Sequence, residues 1–223
     1  MSEERSRVLV AEFLGTLFLL IGVVGSGIMA ARLSPDDVGL QLLQNAVATG
    51  AVLVSIISVF GTISADFNPA VTIAAWALGH RRAREVLPIV CAQILGACGR
   101  TLIANLMFEL PLVSWSTTTR AGGHLWFSEG IATVGLLLVV FSLLRTGRRS
   151  TIPWVVGTYI TGAYYFTSST SFANPAVTVA RTLSDSFAGI DPVSAPMFIL
   201  MQLVGTGIAI VLLRYLFPVP TRE

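Results

Sequence analysis

Phe67-Asn68-Pro69-Ala70-Val71-Thr72 recurs later in the chain as Ala173-Asn174-Pro175-Ala176-Val177-Thr178, with five of the six positions identical. A single Asn-Pro-Ala arises by chance in a chain this long at a rate of roughly a few per cent. Two copies, each opening a short apolar stretch, mark an internal duplication. The flanks repeat as well. Glu12-Phe13-Leu14-Gly15-Thr16 is echoed by Glu129-Gly130-Ile131-Ala132-Thr133, and Gln93-Ile94-Leu95-Gly96 by Gln202-Leu203-Val204-Gly205, in the same order.

Around these repeats the chain is strongly apolar. Of its 223 residues 54% are hydrophobic and only 12% charged, and the mean hydropathy is +0.78, beyond what a soluble core uses. A helix crosses the hydrocarbon core with about 20 apolar residues. Six segments reach or approach that length: 8–31, 41–63, 86–108, 125–144, 152–168 and 193–217. The stretches 69–79 and 175–184, which follow the duplicated motifs, are only half as long. Short apolar segments at matching places in two halves point to helices that enter a membrane without crossing it.

The expected fold is therefore all-α and integral to a membrane: six transmembrane helices plus two re-entrant half-helices. One domain, 1–223, is built as an inverted repeat over 8–108 and 125–217. Each half contributes three spans, an odd number, so the second half inserts upside down. The half-helices then enter from opposite faces, and both Asn-Pro-Ala starts come to the bilayer middle.

All fourteen basic residues are Arg. Counting six spans puts Arg5, Arg7, Arg81, Arg82, Arg84, Arg145, Arg148, Arg149, Arg214 and Arg222 on one side, and Arg32, Arg120 and Arg181 on the other. Positive charge collects on the cytoplasmic side. Both termini are expected there, in a multi-pass protein of the cell membrane. Arg100 stands alone inside the third span. These short clusters form no continuous basic stripe, so the pattern gives no support to nucleic-acid binding. Cys91 and Cys98, inside an apolar run, read as small buried hydrophobes.

Asn is among the best helix N-caps and Pro suits the first helical position. Asn68-Pro69-Ala70 and Asn174-Pro175-Ala176 thus start helices abruptly, each amide oxygen satisfying local N–H groups while its NH₂ faces a lumen. Two positive helix ends converging there disfavour cations. The preceding segments, Gly61 to Phe67 and Thr167 to Ala173, supply hydroxyls and carbonyls that replace solute hydration; irregular backbone at this depth is tolerated where it lines a cavity. Glu12 and Glu129 are intramembrane carboxylates at equivalent positions, a pattern that points to a repeated structural task. With Gln93 and Gln202 they are expected to hold the backbone of the two re-entrant segments.

The twin Asn-Pro-Ala motifs, with Ala11-Glu12-Phe13-Leu14-Gly15-Thr16 and Ala92-Gln93-Ile94-Leu95-Gly96-Ala97, resemble the aquaporin or major intrinsic protein superfamily over nearly the whole chain. The resemblance implies a homotetramer of independently conducting subunits, with water and small neutral solutes as partners beside the lipid bilayer, and with no cofactor, no metal and no catalysis. It also implies a second constriction, outward of the asparagines, made of four residues. Motif distances assign these to Thr49, Gly162, Ser171 and Val177.

Two departures from the family pattern stand out. Val177 occupies a position where the family normally has Arg, the next Arg being Arg181, about one turn further outward. Ser64-Ala65-Asp66 replaces the usual Ser-Gly-Ala-His. A wide, arginine-less ring resembles that of bacterial aquaglyceroporins of the arsenic-detoxification branch. The implied solutes are glycerol-like polyols, undissociated metalloid acids such as arsenite or methylated arsenicals, and water. The alternatives are a glycerol and urea or general water channel, and an ion-coupled secondary transporter with Asp66 as its candidate coupling carboxylate. His80 and His124 fall in loops on opposite sides, and no Ser-His-Asp or metal-ligand cluster converges, so an enzyme is disfavoured.

Overall fold

In lipid an unpaired backbone N–H or C=O has no water to turn to, so a chain this apolar satisfies its backbone within helices. The computed structural model describes residues 3–218, leaving aside the side chains at 100–102; the Arg100 side chain and Arg222 lie outside the described residues. It contains eight α-helices: α1 (Glu3–Leu33), α2 (Val38–Phe60), α3 (Pro69–Ala77), α4 (Ala83–Met107), α5 (Gly123–Arg145), α6 (Ile152–Phe166), α7 (Pro175–Arg181) and α8 (Ala195–Leu216). Among the described residues there is no strand.

Five of these helices, α1, α2, α4, α5 and α8, are long and apolar enough to cross a membrane. The fifth span in chain order, α6, is shorter than the stretch 152–168 suggested. It has 15 residues, about 22 Å at 1.5 Å per residue, against a hydrocarbon core of about 30 Å. It stops at Phe166 because Thr167 turns extended (φ −111°, ψ 139°) and leads into the loop before the second Asn-Pro-Ala. α3 and α7 are the half-length helices, of 9 and 7 residues. Each has Asn as N-cap in an extended conformation and Pro at its start.

The two halves pack alike. α1 lies against α4 and α2, as α5 lies against α8 and α6. The half-helices also cross over, α3 contacting α8 and α7 contacting α4. Glycines set the closest approaches, as small residues do between membrane helices. A Cβ at Gly96 would collide with the Phe13 carbonyl, and one at Gly205 would sit 2.6 Å from the Gly130 carbonyl oxygen. These are equivalent points of the repeat.

At one end of the bundle Arg145 donates to the Leu213 carbonyl (2.7 Å) and Arg214 to the Ala77 carbonyl (2.8 Å), so α3, α5 and α8 finish together among arginines. Arg32 closes the opposite end, donating to the Phe108 carbonyl at 2.6 Å. The arrangement is an inverted repeat of two like halves, each carrying one half-length helix.

Candidate functional site

The site begins where α3 and α7 start. Asn68 Oδ1 accepts from the Ala70 N–H (2.9 Å), and Asn174 Oδ1 accepts from Ala176 (3.0 Å) and Val177 (3.2 Å). Each amide nitrogen then crosses to the other half: Asn68 Nδ2 donates to the Ala173 carbonyl at 2.7 Å, and Asn174 Nδ2 to the Phe67 carbonyl at 2.8 Å. A primary amide carries two N–H donors, so this use leaves one on each Asn. Both residues line the cavity described below. Phe67 (φ 48°) and Ala173 (φ 46°), one residue before each Asn, share the left-handed backbone that turns their carbonyls toward the partner loop.

Two buried carboxylates hold these loops. Glu12 accepts from the N–H groups of Asp66 and Phe67 (both 2.8 Å), from the Ser64 hydroxyl, and from Gln93 Nε2 (2.8 Å). Glu129 accepts from the N–H groups of Phe172 and Ala173 (both 2.9 Å) and from Gln202 Nε2 (2.7 Å). Gln93 also donates to Thr72 (3.0 Å), and Gln202 to Thr178 (2.9 Å), so each Gln joins its carboxylate to its half-helix. All four residues have no measurable exposure.

A cavity of about 930 Å³ runs along the crossed asparagines. At one end its wall holds His80, Arg81, Arg149 and Ser150; at the other it holds Thr49, Tyr164, Ser171, Val177 and Arg181. A family model for the major intrinsic proteins matches residues 1–167, most of the chain. The chain belongs to the major intrinsic protein family. It is 45% identical over 212 residues to the aquaglyceroporin AqpS of Rhizobium meliloti, covering 95% of this chain and 90% of that protein. It is 32% identical over 190 residues to the probable aquaporin AqpM of Archaeoglobus fulgidus, covering 77% and 73%. The X-ray structure of the aquaglyceroporin from Plasmodium falciparum superposes with a TM-score of 0.72 at 21% identity over 94% and 95% of the two chains, a likeness of fold.

Two features of the outer wall in this major intrinsic protein differ from the sequence reading. Gly162 does not line the cavity. The wall face of α6 is Pro153, Val156, Ile160 and Tyr164, a helical stripe, and Gly162 lies about 200° round from Ile160. It is exposed, with only Phe166 within 4.0 Å of a Cβ built there. Tyr164 occupies the wall instead, its hydroxyl 3.2 Å from that of Thr49. The wall is also not free of arginine. Arg181 lies one turn beyond Val177 on the same face of α7, 2% exposed, and its guanidinium stacks 3.4 Å over the Phe172 ring and donates through Nε to the Ala188 carbonyl.

Thr49, Ser171 and Val177 do line the cavity. The Ser171 hydroxyl is buried without a hydrogen-bond partner among the described residues. Of the two irregular segments, Gly61 to Phe67 lies wholly on the wall, whereas in the second only Ser171 and Phe172 do. The Thr167 hydroxyl returns to the Ala163 carbonyl (2.6 Å), and that of Ser168 meets Ser128 (2.9 Å).

Asp66 is ion-paired with Arg81 at 2.7 Å and accepts from Thr72 at 3.0 Å; Arg81 also donates to Ser64 (2.6 Å) and lies 3.7 Å from Glu12. A carboxylate so engaged is a poor ion-coupling site. Burial, with Arg145 and Arg149 nearby, pushes His80 below its ordinary value. Among the described residues no group of three or more His, Cys, Asp or Glu is placed to hold a metal.

Proposed function

We propose that this chain is a passive channel for small uncharged solutes: water, glycerol-like polyols and undissociated metalloid acids such as arsenite or methylated arsenicals. The observation that carries the reading is the continuous cavity passing two crossed Asn amides, each with one N–H to spare. Fixed neutral donors replace part of a polar solute's hydration, while converging helix starts disfavour cations. That the 45% identical relative from Rhizobium meliloti is an aquaglyceroporin supports the solute class. The channel conducts without catalysis or coupling, as a homotetramer with both termini cytoplasmic.

Val177 in place of a bulky cation widens the constriction at its own level. Val177→Arg therefore suppresses passage of glycerol-sized or methylated metalloid solutes more than that of water, and Thr49→Phe acts the same way from the opposite wall. Solute-resolved flux into proteoliposomes tests this; unchanged solute discrimination in correctly folded Val177→Arg protein would sink the metalloid reading. A narrower reading, water and glycerol alone, draws support from Arg181 and Tyr164, which both take up space on the outer wall.

A further inference from the structure

Arg181 and Arg120 share one aromatic ring. The Arg181 guanidinium carbon lies 3.4 Å from the Phe172 centroid and that of Arg120 lies 5.2 Å from it, while Phe198 meets the same ring edge-on at 5.2 Å. Among the described residues neither arginine has a carboxylate within ion-pair distance. Unpaired buried charge is costly. What holds these two is a desolvated ring face and backbone carbonyls, a setting in which the cation–π attraction is at its strongest.

The hydrogen bonds divide the two tasks. Arg120 is spent on the outer loops: Nε donates to the Gly189 carbonyl at 2.8 Å, Nη1 to Ser169 at 3.4 Å and Nη2 to Phe187 at 3.5 Å, and its N–H reaches the Ser194 hydroxyl at 3.1 Å. Its own loop, 109–122, is stitched to the segment after α7 through Ser116 N–H to Thr182 (2.9 Å) and Asp191 N–H to Thr118 (2.8 Å). Arg181 is different. An arginine has five N–H donors, and here only Nε–H has an acceptor among the described residues. The other four belong to a side chain on the cavity wall, about 6 Å outward of Val177 by helical rise.

We propose that Arg181, stacked on Phe172 and secured by Arg120, is the residue of this channel that ranks neutral solutes by their hydrogen-bonding oxygens and turns back cations, with the 109–122 loop as its support. The donor set favours solutes by the number of hydroxyl or carbonyl oxygens they present to it, three over two. Its charge, in a confined low-dielectric passage, opposes cations more strongly than the same charge in water. Val177 leaves room inward of it, so the constriction is split between two levels one turn apart. Arg120 is a positioning residue: it touches no solute and acts through Phe172 and the loop. The proposal rests on the channel reading above.

The test compares water, glycerol and 1,2-propanediol flux, together with sodium leak, in proteoliposomes of the intact protein and of Arg181→Val, Arg120→Lys and the pair. Arg181→Val lowers the glycerol to 1,2-propanediol preference by up to about tenfold, as loss of a charge-assisted hydrogen bond implies, and raises sodium leak. Arg120→Lys shifts both readouts the same way by a smaller factor, and the pair is no worse than Arg181→Val alone, because both act through one element. Val177→Arg/Arg181→Val, which moves the cation one turn inward, restores the sodium barrier. If Arg181→Val does not fold, Phe172→Leu is read instead, with the preference reduced as Arg181 loses its platform. Unchanged preference and leak in folded Arg181→Val or Phe172→Leu, or additive effects of the two arginines, overturn the proposal. Absence of glycerol flux in the unaltered protein is a different failure, that of the channel reading itself.

Discussion

The hydroxyls of Thr49 on α2 and Tyr164 on α6 meet at 3.2 Å on the outer wall of the cavity. The pair fixes two of the wall residues against each other and puts a ring where the spacing of the motifs suggested a glycine. Solutes therefore pass a surface that is aromatic as well as hydroxylic.

Replacing Gly162 and replacing Tyr164 have opposite consequences. Gly162→Ala leaves solute ranking unchanged, since nothing lies nearer than 4.0 Å to the added Cβ, and it stabilises α6 by up to about 1 kcal/mol through helix propensity. Tyr164→Ala widens the outer wall, frees the Thr49 hydroxyl, and raises glycerol flux relative to water. Flux ratios of the two variants, with thermal unfolding of Gly162→Ala, decide between these placements.

The crossed asparagines serve both folding and conduction. Asn68→Ala or Asn174→Ala removes a cap of about 1 kcal/mol and also the donor to the opposite loop, at 2.7 or 2.8 Å. Both folded yield and flux per folded molecule fall. Reduced yield with unchanged flux per molecule would mean that the amides cap without coordinating solute.

Glu129 accepts two loop N–H groups, and a glutamine there would turn an NH₂ toward one of them. Glu129→Gln accordingly costs about 1–3 kcal/mol, the range for leaving a buried donor unmet. Glu12→Gln costs more, because Arg81 loses one of its two nearby carboxylates. Unfolding midpoints in detergent measure both; no shift in either variant would contradict the bracing role.

His80 stacks on Phe141 (5.8 Å between centroids) with Arg145, Arg149 and Asp66 around it, and its value is lowered from 6.5. The folded state thus holds the neutral imidazole more firmly than the unfolded chain does. Below about 6.5 the unfolded chain binds the extra proton first, so this contribution to stability is present at higher pH and is lost as pH falls toward the lowered value. Between about pH 7.5 and about pH 5.5 the unfolding midpoint drops less in His80→Gln than in the unaltered protein.

Duplication made half of the site legible in the chain. Asn68 and Asn174, Glu12 and Glu129, and Gln93 and Gln202 recur in register, and their hydrogen bonds recur with them. Gly162 was not legible, because its placement was counted through a loop. Thr170, Ser171 and Ala173 have positive φ (62°, 49° and 46°), and α6 ends at Phe166, so residue distance from Asn174 carries no helical phase. Apolar periodicity within α6 itself, with Val156, Ile160 and Tyr164 four apart, was the signal that finds the wall. Arg181 could be placed a turn outward of Val177 by counting. Its return to the wall depends on Phe172 and on the Ala188 carbonyl, seven residues further along, which no local pattern announces.

Uncoupled conduction of small uncharged solutes is the proposed function. It is tested most directly by stopped-flow light scattering of proteoliposomes containing the purified protein, with water and glycerol gradients imposed alone and against opposing proton or sodium gradients. A passive channel gives flux that scales linearly with the solute gradient, does not saturate, and stops when that gradient is gone. Glycerol accumulated against its own gradient at the expense of protons or sodium would contradict it.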